Sequence, residues 1–140
     1  MADIKLCSAC LLGVACRYDG KSKPSEKVLE LAKKEILIPV CPEQLGGQKT
    51  PRDNSEIKNG RVISVTGRDE TDEFIRGANE VLKIAKLYNI KEAILKQRSP
   101  SCGCGQTYDG TFTGKLIKGN GITTDLLIKN GIKVISEDDL

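Results

Sequence analysis

Six cysteines and no histidine decide which chemistry this 140-residue chain can carry. Without imidazole, Ser-His-Asp and Cys-His catalysis are excluded, and so is every zinc or copper site built on histidine. Any bound metal must be held by Cys, Asp, Glu or backbone. Three of the cysteines, Cys10, Cys41 and Cys102, lie in loops that follow short apolar runs. Three thiolates without imidazole suit a soft metal, and iron–sulfur clusters are held by Cys thiolates. A structural zinc would use four closed ligands, for which Cys7, Cys16 or Cys104 is available. Neither Cys10-x5-Cys16 nor Cys102-x-Cys104 is a standard ligand spacing. Spacing therefore leaves a cluster, a zinc and inert buried thiols all open. A redox pair of Cys102 and Cys104 ranks last, because one residue separates them rather than two.

The residues beside these cysteines add acid–base and binding groups. Cys41-Pro42-Glu43 puts a carboxylate two residues after one thiol, and Ser101 puts a hydroxyl directly before Cys102. Gly13, Gly46, Gly47, Gly103 and Gly105 allow backbone to approach a bulky group closely, although Gly, Ser and Pro also make ordinary turns. Arg17, Lys21, Lys23 and Arg98 flank the same loops and offer charge for a substrate phosphate; solvated surface charge is the plainer reading. Tyr18 offers a ring for stacking or for covering the core edge.

Positioning these loops requires a scaffold, and the apolar pattern supplies one. Ile4–Ala9 and Ile36–Val40 read as buried strands, with Pro39 placed near the end of the second. Between them, Ser25 caps a predicted helix running to about Glu35. Asn59-Gly60 predicts a two-residue hairpin turn between arms Glu56–Lys58 and Arg61–Val65. Thr71–Leu87 is the clearest helix. Thr71 is its expected cap, its apolar face runs through Phe74, Ala78, Val81, Leu82 and Ala85, and Asn89 is its stop. Ala93–Leu95 predicts a third strand, followed by a loop over Gln97–Gly105 and a Gly-rich stretch. Thr124–Asn130 is a short helix closed by Gly131, and Ile132–Ile135 a last strand. The alternation predicts an α/β fold, a three-layer Rossmann-like single domain over residues 1–140, with a largely parallel sheet and an antiparallel hairpin excursion near residues 54–66. In such sheets ligands bind beyond the carboxyl ends of the strands, so all three cysteine loops are expected at one edge.

Composition narrows the partners. A net charge of +3, from 22 basic and 19 acidic residues, with three Tyr, two Phe and no Trp, predicts no stable nucleic-acid complex. No apolar run approaches the roughly 20 residues of a membrane span, and Met-Ala-Asp-Ile-Lys-Leu lacks the apolar stretch of a secretory signal. The expectation is a cytoplasmic protein whose thiols are reduced rather than cross-linked.

The segments Ser8-Ala9-Cys10-Leu11-Leu12-Gly13, Cys16-Arg17-Tyr18-Asp19-Gly20, Val40-Cys41-Pro42-Glu43-Gln44-Leu45-Gly46-Gly47, Ser99-Pro100-Ser101-Cys102-Gly103 and Tyr108-Asp109-Gly110-Thr111-Phe112 together resemble the small thiouracil desulfidase family, across nearly the whole chain. The resemblance implies a [4Fe–4S] cluster bound by Cys10, Cys41 and Cys102, with one open iron that takes the sulfur of a thiolated pyrimidine. It also implies Glu43 and Ser101 as catalytic residues. Arg17, Tyr18, Lys23 and Arg98 are the substrate-site candidates. The expected reaction converts 4-thiouracil or 4-thio-UMP to uracil or UMP plus hydrogen sulfide. A non-catalytic zinc or cluster module is the competing expectation.

Overall fold

The computed structural model describes residues 3–140. Four parallel strands form the central sheet: β1 (Ile4–Ser8), β2 (Ile36–Val40), β5 (Glu92–Leu95) and β8 (Lys133–Ser136), in the order β2-β1-β5-β8. Register pairs Ser8 with Val40 and Cys7 with Ile94, while Ile94 in turn pairs with Ile135. Pro39 costs no ladder bond to a second neighbour because β2 is an edge strand.

The period of two in the strands sorts side chains onto two faces. Leu6, Ala93 and Leu95 point to one face and pack with Val81, Leu82 and Ala85 of α3 (Thr71–Leu87) and Leu127 of α4 (Ile122–Lys129). Cys7 and Ile94 point to the other, against Val28 and Leu31 of α1 (Glu26–Ala32). Helices thus cover both faces, which is the expected three-layer α/β arrangement. β1 is buried on both sides, hence its apolar composition.

The hairpin excursion is β3 (Ser55–Lys58) and β4 (Arg61–Ser64), turning at Asn59-Gly60, both at positive φ. Several expected boundaries move. The first strand stops at Ser8, and Ala9–Leu12 is a turn of 3-10 helix. α1 ends at Ala32, three residues early, and α4 begins at Ile122 behind a Gly121 cap. Thr71 does not cap α3: Glu70 holds that position, and the Thr71 hydroxyl instead accepts from Val62 N–H at 2.9 Å, tying the helix to β4. Three further α and β elements lie outside the expected set. α2 (Pro42–Leu45) is a single turn, and β6 (Gln106–Tyr108) pairs antiparallel with β7 (Leu116–Lys118) inside the Gly-rich stretch. β7 is exposed along its length, so it has no apolar alternation to read. No helix among the described residues is long and apolar enough to cross a membrane.

Candidate active site

The sheet order places β1 between β2 and β5, so the chain leaves β1 toward one side and returns to its other side. The crevice at the carboxyl ends of these strands is the expected ligand position. A cavity of about 360 Å³ lies there. Cys10, Cys41 and Cys102 all line it, delivered by the segments after β1, β2 and β5. Cys10 and Cys102 are buried and Cys41 is half-buried.

Two short hydrogen-bond systems brace the cysteine segments. Ser8 Oγ accepts from Lys96 N–H at 2.8 Å, which locks the end of β1 to the end of β5. Ser99 Oγ accepts from the backbone N–H groups of Ser101 and Cys102 at 3.1 and 3.0 Å, and the Thr124 hydroxyl donates to the Cys102 carbonyl at 2.8 Å. The loop carrying Ser101 and Cys102 is therefore held at both its own start and the first turn of α4.

Glu43 sits on α2 with its carboxylate turned into the cavity. Its Oε2 accepts from the Ser101 hydroxyl at 3.3 Å, and Ser101 is itself 3.5 Å from Cys102 Sγ and 2.9 Å from Ser99 Oγ. Its Oε1 accepts from Arg52 Nε at 3.0 Å. The same guanidinium donates to the Cys16 carbonyl at 2.9 Å and the Lys49 carbonyl at 3.1 Å. One buried cation thus fixes the carboxylate and clamps two loops. Nothing in the sequence marked Arg52: it lies between the Cys41 segment and the hairpin, in no periodic element.

Burial and neighbouring thiols favour the protonated form of Cys7, Cys16, Cys41, Cys102 and Cys104. Burial pushes Cys102 up to about 12, with the neighbouring Cys41 and Glu43 adding to the effect. Cys41 is raised chiefly by the Cys16 thiol beside it and then by burial. Cys16, which also lines the cavity, is raised chiefly by contact with Cys10 and stands between Cys10 and Cys41. Cys7 is pushed up to about 12 by burial beneath the sheet. Cys104 faces away, its Sγ 3.5 Å from the Val134 carbonyl, and burial raises it too.

Among the described residues no three Cys, Asp or Glu side chains converge on the volume of one metal ion. Cys10, Cys41 and Cys102 line a cavity of about 360 Å³ instead, which fits a polynuclear centre better than a closed zinc tetrad. The soft donor set and the absence of histidine fit iron–sulfur chemistry as well.

The substrate-site candidates divide. Arg17, Tyr18 and Arg98 line the cavity, with the Arg17 guanidinium 5.6 Å from the Tyr18 ring centroid and Arg98 paired to Asp138 at 3.3 Å. Lys23 is exposed and off the wall; its backbone N–H donates to the Cys10 carbonyl at 3.0 Å. Lys21 likewise acts through backbone, accepting from Arg17 N–H at 3.1 Å. Several wall residues had no expected role, among them Arg52, Glu56, Lys96, Tyr108 and Phe112.

A family model described as 2-thiouracil desulfurase matches residues 6–139. The chain belongs to the 2-thiouracil desulfurase family. Among similar proteins is the uncharacterized protein YbbK of Bacillus subtilis (strain 168), 42% identical over an alignment of 145 positions that covers 96% of each chain. Among solved structures, the [4Fe–4S]-dependent thiouracil desulfidase TudS superposes with a TM-score of 0.93 at 43% identity, covering 99% of this chain and 93% of that one.

Proposed function

We propose that this chain is a [4Fe–4S]-dependent desulfidase that exchanges the sulfur of a thiolated pyrimidine for oxygen. The reaction takes 4-thiouracil or 4-thio-UMP and one water to uracil or UMP and hydrogen sulfide, with no net electron transfer. The observation that carries the reading is the Glu43–Ser101 pair at 3.3 Å on the wall of the same cavity as Cys10, Cys41 and Cys102. Family membership and the likeness to TudS support it.

In this reading Cys10, Cys41 and Cys102 would hold the cluster, leaving one iron free of protein ligands for the substrate sulfur. When bound, the cluster supplies a soft Lewis acid for the substrate sulfur and polarises the C–S bond. The chain's own groups handle the protons. Glu43 Oε2 takes a proton from the attacking water, and the Ser101 hydroxyl passes one toward the ring nitrogen. Arg52 holds the carboxylate on Oε1, so Oε2 is the oxygen free to exchange a proton. Arg17 and Arg98 stand where a nucleotide phosphate could be met from the cavity wall.

The deciding experiment is anaerobic purification with iron and sulfide counted per chain, followed by assay of sulfide release from 4-thiouracil and 4-thio-UMP. Iron-loaded protein that turns over either substrate supports the reading. An iron-free, fully active protein rules out the cluster mechanism. Loaded protein inert on every thiolated pyrimidine favours a structural cluster instead.

A further inference from the structure

The chain has only three Tyr and two Phe. Three of these five rings, Tyr18, Tyr108 and Phe112, belong to residues that line the active-site cavity. Phe112 is held there in an unusual way. Its φ is +58°, a left-handed conformation that a bulky side chain adopts only where its surroundings impose it. The imposing group is Glu56 of β3, 5% exposed. Its Oε1 accepts the backbone N–H of Phe112 at 3.1 Å and that of Gly110 at 3.0 Å. The loop also lies so close to β3 that a Cβ on Gly110 would come within 2.8 Å of Lys58 Cβ. Glu56 also reaches the cavity wall, and the hydrogen bonds its carboxylate makes are to two amides of one loop, which fixes where Phe112 meets the cavity.

We propose that Phe112, which shares the cavity lining with Tyr18 and Tyr108, provides the face on which the substrate's pyrimidine ring stacks, and that Glu56 is the positioning residue that sets this wall. The proposal rests on the pyrimidine reading above and extends it by naming what holds the ring. Base-on-aromatic stacking is sequence-tolerant and needs only a flat π-face at the right place. A wall fixed by backbone hydrogen bonds also binds without ordering a loop on each turnover.

The test uses cluster-loaded protein and two readouts: steady-state desulfidation of 4-thiouracil, and calorimetric binding of uracil, which is not consumed. Phe112→Ala is expected to raise KM and the uracil Kd together by about 5- to 160-fold, the range of one base–aromatic stack. kcat and iron per chain are expected to stay near the wild-type values. Glu56→Ala is expected to weaken binding in the same way, whereas Glu56→Gln, whose amide oxygen can accept the same two N–H groups, is expected to restore it. Wild-type uracil affinity and KM in Phe112→Ala would overturn the wall, as would a loaded wild-type protein that binds no uracil. Glu56→Gln as impaired as Glu56→Ala would overturn the positioning role. The two readings fail separately: a wild-type protein inert on thiopyrimidines removes the desulfidase reading, while the uracil titration still decides the aromatic wall.

Discussion

The Ser101 hydroxyl donates to Glu43 Oε2 at 3.3 Å across 58 positions of sequence, and the same hydroxyl lies 3.5 Å from Cys102 Sγ. A carboxylate, a hydroxyl and a cavity thiol are thus in series. If the first two move one proton between them, their losses should not add. Glu43→Gln is expected to keep its iron and lose about 10²- to 10⁴-fold in turnover, the usual range of general acid–base catalysis. Ser101→Ala should fall within that range, and the double variant should be about as slow as the slower single one. Single-turnover sulfide release with iron quantified in the same sample checks this; multiplicative losses would separate the two residues.

Arg52 joins Glu43 to the Cys16 and Lys49 carbonyls from a nearly buried position, its side chain 6% exposed. Arg52→Ala strands those acceptors, so thermal or denaturant unfolding should show a loss of about 1–3 kcal/mol. Turnover should fall as well, because Glu43 Oε1 loses its anchor. Arg52→Lys is expected to recover little, since an ammonium cannot reproduce a planar fork reaching several acceptors.

The assignment of Cys10, Cys41 and Cys102 as ligands separates them from the other three thiols. Serine at any of these three positions is expected to abolish cluster retention. Cys7→Ser, Cys16→Ser and Cys104→Ser are expected to keep it. Cys16 is the stringent case, because its thiol touches those of Cys10 and Cys41. Iron and sulfide analysis after anaerobic reconstitution decides the set; loss of iron in Cys16→Ser would add a fourth ligand.

Buried thiols also set how the metal-free chain responds to alkali. Cys7 and Cys102 have folded values of about 12 against an ordinary 9.0. The unfolded chain gives up these protons first, so the folded state binds more protons between the two values. Stability is therefore full below about pH 9 and declines as pH rises toward 12. Denaturant titrations of metal-free protein across that window should show the decline, and Cys7→Ala should flatten it. An unchanged slope in that variant would remove Cys7 from the effect.

Helix α2, which carries Glu43, lies directly on α3. A Cβ at Gly77 would overlap the Pro42 carbonyl oxygen, and one at Gly46 would overlap the Glu73 carbonyl oxygen. In an ordinary helix interior Gly→Ala adds about 1 kcal/mol of stability. Here the close approach reverses the sign: Gly77→Ala is expected to destabilise by about 1–3 kcal/mol, as overpacking does. Because the clash pushes on α2, turnover should drop further than the stability loss alone explains. A more stable, fully active Gly77→Ala protein would show that the two helices can part without moving Glu43.

Much of this protein was readable before any coordinates. The two-residue period of Leu6 and Cys7, the apolar face of Thr71–Leu87 and the Asn59-Gly60 turn each follow from local sterics and burial, so α/β layering with one hairpin was determined by the sequence itself. The cysteine-bearing loops were legible too, because Cys without His admits so few chemistries, and the resemblance to the thiouracil desulfidase family implied Glu43 and Ser101 as catalytic candidates. What only the tertiary structure decided is which distant residues meet. Arg52 and Glu56 lie in short irregular or hairpin segments, where no period exists to mark them. Their importance comes from the carboxylate and the amides they find across the fold. The same holds for Lys23, whose sequence neighbours suggested a ligand and whose side chain ends outside the cavity. Local patterns specify elements because they depend on neighbours a few residues away. A site is specified by packing, which sets the contacts between segments the chain keeps far apart.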